Sequence, residues 1–299
     1  MKSPIPADEP LDLKDKKNAI QLSILTAAFL TFVKIAFGFT TRSMAVLASA
    51  VDSLMDVLVS SVNYISLIEA SKPADFDHAY GHGKIESLAG LFQSIFICGS
   101  GFYLIVESCL RLAHGHAIEH IGSAILVMII SMLATFFLVK RLNAVASQTK
   151  SIIVGTEKLH FAIDLMTNLG VIAALILVRM TGFALWDLLI AFLIAFYIVK
   201  ESLAILRTSV DELIDRALPI EIQEEISDTI THFDKRILGF HNLRTRKIGE
   251  KRFIDFHVEL ERTLTFKQAH DLTENLIEAI KVKLPDSDVT VHFDPEGGE

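Results

Sequence analysis

Six apolar runs dominate the first two thirds of the chain. About 20 apolar residues are enough for a helix to cross the hydrocarbon core of a lipid bilayer. A large soluble helical protein is the alternative, but six such runs joined by short connectors favour a bundle of six membrane-spanning helices. The runs are Ala19–Phe39, Met44–Ala70, Ser87–Leu110, Ile121–Val139, Ser151–Val178 and Leu185–Leu206.

The last third of the chain has shorter elements with two different periods. Apolar residues recur at helical spacing in Pro219–Phe233 and Thr265–Leu284, and Pro219 suits the start of a helix. Three segments alternate or are β-branched in the manner of strands: Leu238–Ile248, Arg252–Leu260 and Val289–Phe293. The order α-β-β-α-β predicts a small ferredoxin-like α/β domain with one open sheet edge.

The charge distribution divides the chain at the same point. Residues 209–299 hold 12 Lys/Arg and 20 Asp/Glu, a net charge of −8, whereas the remainder is balanced. We therefore predict a polar segment over residues 1–17, a six-helix membrane domain over 18–208 and a water-soluble domain over 209–299. Residues 1–17 also lack the pattern of a secretory signal peptide.

The basic residues of the short loops predict the orientation in the membrane. With the N-terminus inside, the inner segments hold nine Lys/Arg and the outer loops hold three. Such an excess is typical of the cytoplasmic side. Six helices then leave both termini, and the acidic C-terminal domain, in the cytoplasm.

Two carboxylates occur in the middle of the second apolar run. Asp52 and Asp56 are four residues apart, which puts both on one face of a helix. A charged side chain at the centre of a bilayer costs roughly 2.5–3.5 kcal/mol on insertion scales, and two on one face also repel each other. The pair therefore indicates that a cation visits this part of the membrane.

The fifth run repeats the same spacing with His160 and Asp164. Two helices that each present two ligands one turn apart can form a tetrahedral shell of one nitrogen and three carboxylate groups, which suits Zn2+. Without thiolates the binding is expected to be exchangeable. The alternative is a buried polar network that only fixes helix packing.

Two further groups of candidate metal ligands lie outside the apolar runs. In the loop after the second run, Asp75, His78 and His82 are close in sequence, and Gly81 and Gly83 allow a tight turn around them. A solvated polar loop is the alternative. Five more candidates in the C-terminal domain could converge on a binuclear site or could be scattered surface groups: His241, His257, His270, His292 and Asp294.

These residues resemble the motifs of the cation diffusion facilitator family, in its bacterial zinc and iron branch. The matching stretches are SMAVLASAVDSLMD, PADFDHAYGHGKIESLAG, the His160–Asp164 pair, and HNLRTR, FHVEL, AHDL and VHFDP in the C-terminal domain. The resemblance covers nearly the whole chain. It implies an exporter of divalent metal ions driven by protons, in the inner membrane of a bacterium.

The resemblance also implies a role for each group of ligands. Asp52, Asp56, His160 and Asp164 match the transport site, the loop residues match a second metal site, and the C-terminal ligands match sites near a dimer interface. It further implies a homodimer and a charge pair between Lys84 and Asp215. The ligand set favours Zn2+, with Cd2+ and Fe2+ also open.

Two other classes of function stay open at this point. A metal-sensing membrane scaffold would use the C-terminal domain to recruit partners, although charged pairs inside the membrane argue against a mere anchor. An intramembrane zinc hydrolase would need an open ligand position, which a complete four-ligand shell lacks. We therefore expect a transporter and not an enzyme, with metal ions, protons and lipid as partners and with neither an organic cofactor nor a nucleic acid.

Overall fold

The computed structural model describes residues 11–41, 44–114, 121–183, 185–249 and 251–297. The chain forms two compact units, Met1–Ser209 and Val210–Glu299. The predicted polar segment 1–17 lies partly outside the described residues, and its last residues belong to the first helix.

The described residues of the first unit form six long helices. They are α1 (Leu11–Thr41), α2 (Met44–Ala70), α3 (Lys84–His114), α4 (Ile121–Thr149), α5 (Ile152–Thr181) and α6 (Leu185–Leu213), of which α6 continues into the second unit. Among the described residues, five are long and apolar enough to cross a membrane, namely all except α5. Glu157, Lys158 and Asp164 lie in the first half of α5, and several of its apolar residues after Gly170 are outside the described side chains.

The packing of the first unit is that of a membrane protein. Large apolar side chains such as Phe32, Phe96 and Phe137 are exposed on the outside of the bundle, whereas small polar and acidic groups such as Ser60 and Glu157 are fully buried. In water this arrangement would expose large apolar patches to solvent, whereas in a bilayer the same side chains contact apolar lipid chains. The predicted membrane helices plus a separate α/β domain are thus confirmed.

Helix α5 packs into both apolar clusters of the bundle. One cluster gathers residues of α1, α2, α4 and α5, including Phe161. The other gathers residues of α3, α5 and α6, including Leu159 and Ile163. Neighbouring positions of α5 thus face different helices, so its charged residues lie inside the bundle.

The second unit has the predicted element order. Helix α7 (Ile220–Phe233) precedes β1 (Ile237–Ile248) and β2 (Lys251–Leu260), and α8 (Phe266–Lys283) precedes β3 (Ser287–Pro295). The sheet order is β1-β2-β3, with β2 antiparallel to β1 and parallel to β3. Thr265 and Gln268 form a capping box at the start of α8, which fixes where that helix begins.

The sheet of the second unit has one covered face and one open face. On β2, Ile254, Phe256 and Val258 are buried against residues of α7 and α8. The alternate residues of β2, which include His257 and Glu259, point to the open face because side chains alternate along a strand. The candidate ligands of this unit are therefore presented on a rigid sheet and stay accessible.

Candidate metal sites

The intramembrane site joins α2 and α5. Asp56, His160 and Asp164 each offer a ligand atom within 4.8 Å of the others. His160 Nε2 lies 3.1 Å from Asp56 Oδ1, and both side chains are largely buried, with 15% and 19% of their surface exposed. One imidazole and two carboxylates converging in a low-dielectric bundle are a suitable set for a divalent cation.

Asp52 does not lie with the other three residues predicted to form the intramembrane ligand shell. It lies on α2 one turn before Asp56, but it is exposed and is not part of the three-residue cluster. The four-residue spacing puts both carboxylates on one face of α2, yet α5 brings its imidazole against Asp56 only. Asp52 would have to turn inward to complete a four-ligand shell.

A second carboxylate, missed by sequence reasoning, lies one turn along α5 from His160. Glu157 is fully buried and accepts hydrogen bonds from the Ser60 hydroxyl and the Asn63 side-chain amide of α2. Asp56, Ser60 and Asn63 follow one another at helical spacing, as do Glu157 and His160. This repeat forms a polar stripe on each helix, and it is the sequence pattern from which Glu157 could have been predicted.

The three candidate ligands of the loop, Asp75, His78 and His82, lie close together. Asp75 accepts from the backbone amides of Asp77 and His78, at 3.0 and 2.7 Å, which orients its carboxylate. The hydrogen bond from the His78 backbone holds the pKa of the Asp75 carboxyl below its usual value. His78 Nδ1 and His82 Nε2 lie 3.2 and 3.3 Å from its two oxygens, and the positive φ of Gly81 (83°) makes the turn.

His82 differs from the other two loop residues in burial. Its side chain is 10% exposed, against 52% for Asp75 and 58% for His78. Its Nδ1 is buried and has no hydrogen-bond partner among the residues that the structure describes. The second nitrogen faces the carboxylate, so His82 is oriented as a ligand by the fold and not by solvent.

Three histidines form one row across the open face of the C-terminal sheet. His241 of β1 pairs in register with His257 of β2, which pairs with His292 of β3. Adjacent ring centroids are 5.0 and 4.8 Å apart. A register shift directly after His241 marks a bulge in β1 at the edge of the row.

The carboxylate of Asp294 lies close to all three histidines of the row. Its Oδ2 lies 3.1 Å from His257 Nδ1 and 3.5 Å from His241 Nε2, and its Oδ1 lies 3.1 Å from His292 Nε2. The hydrogen bond to His257 holds the pKa of the Asp294 carboxyl below its usual value. Glu259, the partner of Asp294 in the sheet register, lies 3.6 Å from His241 Nδ1. Glu259 was missed, although a strand period of two puts it on the same face as His257.

Three predicted residues lie apart from these clusters. His270 is exposed on α8, and the described chain does not bring it to the histidine row. Lys84 begins α3 in the first unit, and Asp215 lies in the second, where its carboxylate is 3.4 Å from Arg246. A charge pair between Lys84 and Asp215 stays a prediction.

Both units match models of known domain families. Residues 20–214 match the cation efflux transmembrane domain, and residues 218–296 match the cytoplasmic domain of cation efflux proteins. The cation-efflux pump FieF of Shewanella oneidensis is 37% identical over 281 residues, covering 93% of this chain and 94% of that protein. FieF of Citrobacter koseri is 38% identical over 269 residues, covering 90% and 89%.

Solved structures match about a quarter of the chain. A structure of the putative zinc transporter CzrB in its zinc form is 31% identical, with a TM-score of 0.27, and covers 28% of this chain and 97% of that one. The metal-bound C-terminal domain of the CzcD transporter from Thermotoga maritima is 28% identical, with a TM-score of 0.26, and covers 26% and 92%.

Proposed function

This chain belongs to the cation efflux family, and on that premise we propose that it exports Zn2+ from the cytoplasm in exchange for protons. Cd2+ and Fe2+ are the other ions we expect it to carry. The observation that carries the proposal is the cluster of Asp56, His160 and Asp164 inside the helix bundle. We assign Asp52 to the same site as the fourth ligand.

Competition between metal and protons for these ligands supports antiport. Carboxylates and imidazole bind a metal only when they are deprotonated, so loading the metal releases protons and protonation displaces it. Imidazoles titrate near neutral pH, which makes His160 the group we expect to exchange its proton first. An inside-negative potential of 100 mV opposes export of a dication by about 4.6 kcal/mol, which inward proton flow can offset.

We assign regulatory or assembly roles to the other two clusters. The loop site of Asp75, His78 and His82 is exposed on one side, and the histidine row lies on an accessible sheet face. Metal bound at the histidine row would draw on ligands from three strands and could add His270 from a second copy. We therefore propose a homodimer in a bacterial inner membrane, with both termini in the cytoplasm.

Zinc flux into proteoliposomes tests the proposal. The purified chain is reconstituted with a pH gradient, and a zinc dye and a pH dye are read together. We expect zinc flux with linked proton movement, and loss of both in Asp56→Ala. Zinc flux that survives this substitution, or that moves no protons, contradicts the scheme.

Competition among metals tests the ion preference. Transport of Zn2+, Cd2+, Fe2+ and Mn2+ is compared in the wild type and in His160→Ala. We expect Zn2+ transport to fall most, because imidazole nitrogen suits zinc. Equal losses for all four ions would argue against a preference set by His160. A metal-sensing scaffold, the alternative function, predicts metal binding with no flux of any ion.

A further inference from the structure

A lysine lies inside the first apolar helix, away from either end. Lys34 of α1 is half-buried, and the apolar span Asp12–Thr40 continues on both sides of it. A charged side chain at this depth is costly and is generally retained in membrane proteins for a function. None of the three metal clusters includes it.

The Lys34 ammonium is held by two neutral groups of α2. Its Nζ donates to the Ser53 hydroxyl at 2.7 Å and to the backbone carbonyl of Ser49 at 3.3 Å. Ser49 and Ser53 are one helical turn apart, so the side chain lies along the face of α2. Neither partner carries a charge, and the positive charge must be balanced by more distant groups.

Those groups are the acidic residues of the intramembrane site. Ser53 directly follows Asp52 and lies one turn before Asp56 on α2. The hydrogen bond to Ser53 therefore places the Lys34 ammonium on the same stretch of α2 as the carboxylates of Asp52 and Asp56. Charge–charge interactions act over longer distances inside a bundle than in water, because the dielectric is low.

We propose that Lys34 is a built-in counter-cation of the intramembrane metal site, which lowers the affinity of that site for metal. This inference rests on the proposed export function. When no metal is bound, the ammonium offsets the mutual repulsion of the carboxylates. When a dication is bound, the same ammonium repels it and favours its release. The hydrogen bonds to α2 keep the charge beside the ligands without making it a ligand.

Zinc binding by full-length chains that lack the other two clusters tests the proposal. Asp75→Ala and Asp294→Ala are introduced as a background, so that equilibrium dialysis with Zn2+ reports on the intramembrane site. Lys34→Gln and Lys34→Met remove the charge, and Lys34→Arg keeps it. Lys200→Gln on α6 is the matched control, because that lysine side chain is 69% exposed.

We expect about tenfold tighter zinc binding for Lys34→Gln and Lys34→Met, from the loss of one nearby charge at low effective dielectric. Lys34→Arg and Lys200→Gln should stay within about twofold of the background, because each leaves the charge beside the site. In proteoliposomes the neutral variants should show a lower KM for zinc and a lower maximal rate.

A lysine that merely braces α1 against α2 would behave differently. Its loss would reduce the yield of folded protein and the maximal rate but leave the affinity unchanged or weakened, which would overturn the proposal. Two neutral variants are used so that the failure of one to fold does not decide the outcome. If the wild type binds zinc but carries no flux, the export proposal fails, while the affinity order of the Lys34 variants still decides the present one.

Discussion

The buried carboxylate of Glu157 provides a sharp test of how α2 and α5 are held together. Glu157 and Ser60 are completely buried, and Asn63 is 3% exposed. The two partners donate to different oxygens of the carboxylate. Glu157→Ala removes the acceptor altogether, whereas Glu157→Gln keeps the shape but turns an amide NH2 group towards one of the two donors.

The size of the effect follows from these contacts. A hydrogen bond to a charged group contributes about 1.5–3 kcal/mol, and removing one member of a buried charged network costs about 3–5 kcal/mol. We therefore expect Glu157→Ala to destabilise the membrane unit by about 3–5 kcal/mol and Glu157→Gln by about 1.5–3 kcal/mol. Uncharged hydrogen bonds between membrane helices average about 0.6 kcal/mol, and this value is the lower bound for the destabilisation expected of either Glu157 variant.

Unfolding by sodium dodecyl sulfate in mixed micelles, followed by circular dichroism, measures these differences. The matched control is Glu201→Gln on α6, because that carboxylate is 39% exposed and lies 3.9 Å from Lys200. A double-mutant cycle of Ser60→Ala with Glu157→Gln isolates the contact between the two helices. Equal midpoints for Glu157→Gln and Glu201→Gln, with no coupling in the cycle, would refute the reasoning.

Three further predictions concern other parts of the chain. Asp294→Ala removes the carboxylate shared by three imidazoles and should abolish tight zinc binding at the histidine row in equilibrium dialysis, whereas Asp288→Ala on the same strand should retain it. Hydrogen bonds from a neighbouring arginine lower the pKa of Asp234 from 3.8 to about 2. Because the pKa of Asp234 is lower in the folded state, the resulting stabilisation is present above the ordinary pKa and is lost as the pH falls towards 2. The free energy of unfolding of Asp234→Asn should therefore change less with pH over that interval than that of the wild type. A Cβ atom at Gly90 would lie 2.3 Å from an isoleucine side chain of α5. Gly90→Ala should therefore lower the free energy of unfolding by about 1–3 kcal/mol in the same detergent assay. A Cβ atom at Gly99 would meet nothing within 4 Å, so Gly99→Ala should lower it little or not at all.

The C-terminal unit was largely predictable because its elements depend on local patterns. Pro219 precedes α7, and the alternation of β2 separates the buried Phe256 from the open-face His257. What the sequence did not contain was the register between strands. His241 and His257 become neighbours only through the pairing of β1 with β2, and the shift after His241 alters that pairing within a few residues.

For the intramembrane site, the sequence predicts which residues share a face of one helix but not which residues meet between two helices. Helical spacing correctly puts Asp52 and Asp56 on one face, and likewise His160 and Asp164, because that geometry is intrinsic to a helix. The height at which α5 lies beside α2 depends on packing of the whole bundle. That height selects Asp56 as the partner of His160 and leaves Asp52 exposed. It also buries Glu157 against α2, a contact that the polar stripe on each helix indicates only once the two helices are placed side by side.

The charged residues of α5 are themselves an argument for where the chemistry occurs. Each charge at the centre of a lone membrane helix costs roughly 2.5–3.5 kcal/mol, so Glu157, Lys158 and Asp164 are costly residues for a membrane span. The fold offsets that cost by packing α5 into both apolar clusters of the bundle and by supplying hydrogen-bond donors from α2. Structural stability alone would favour apolar residues at these positions, because replacing buried charges by apolar groups is often neutral or stabilising. The polar residues of α5 therefore support the proposal that this helix contributes ligands to a transported cation.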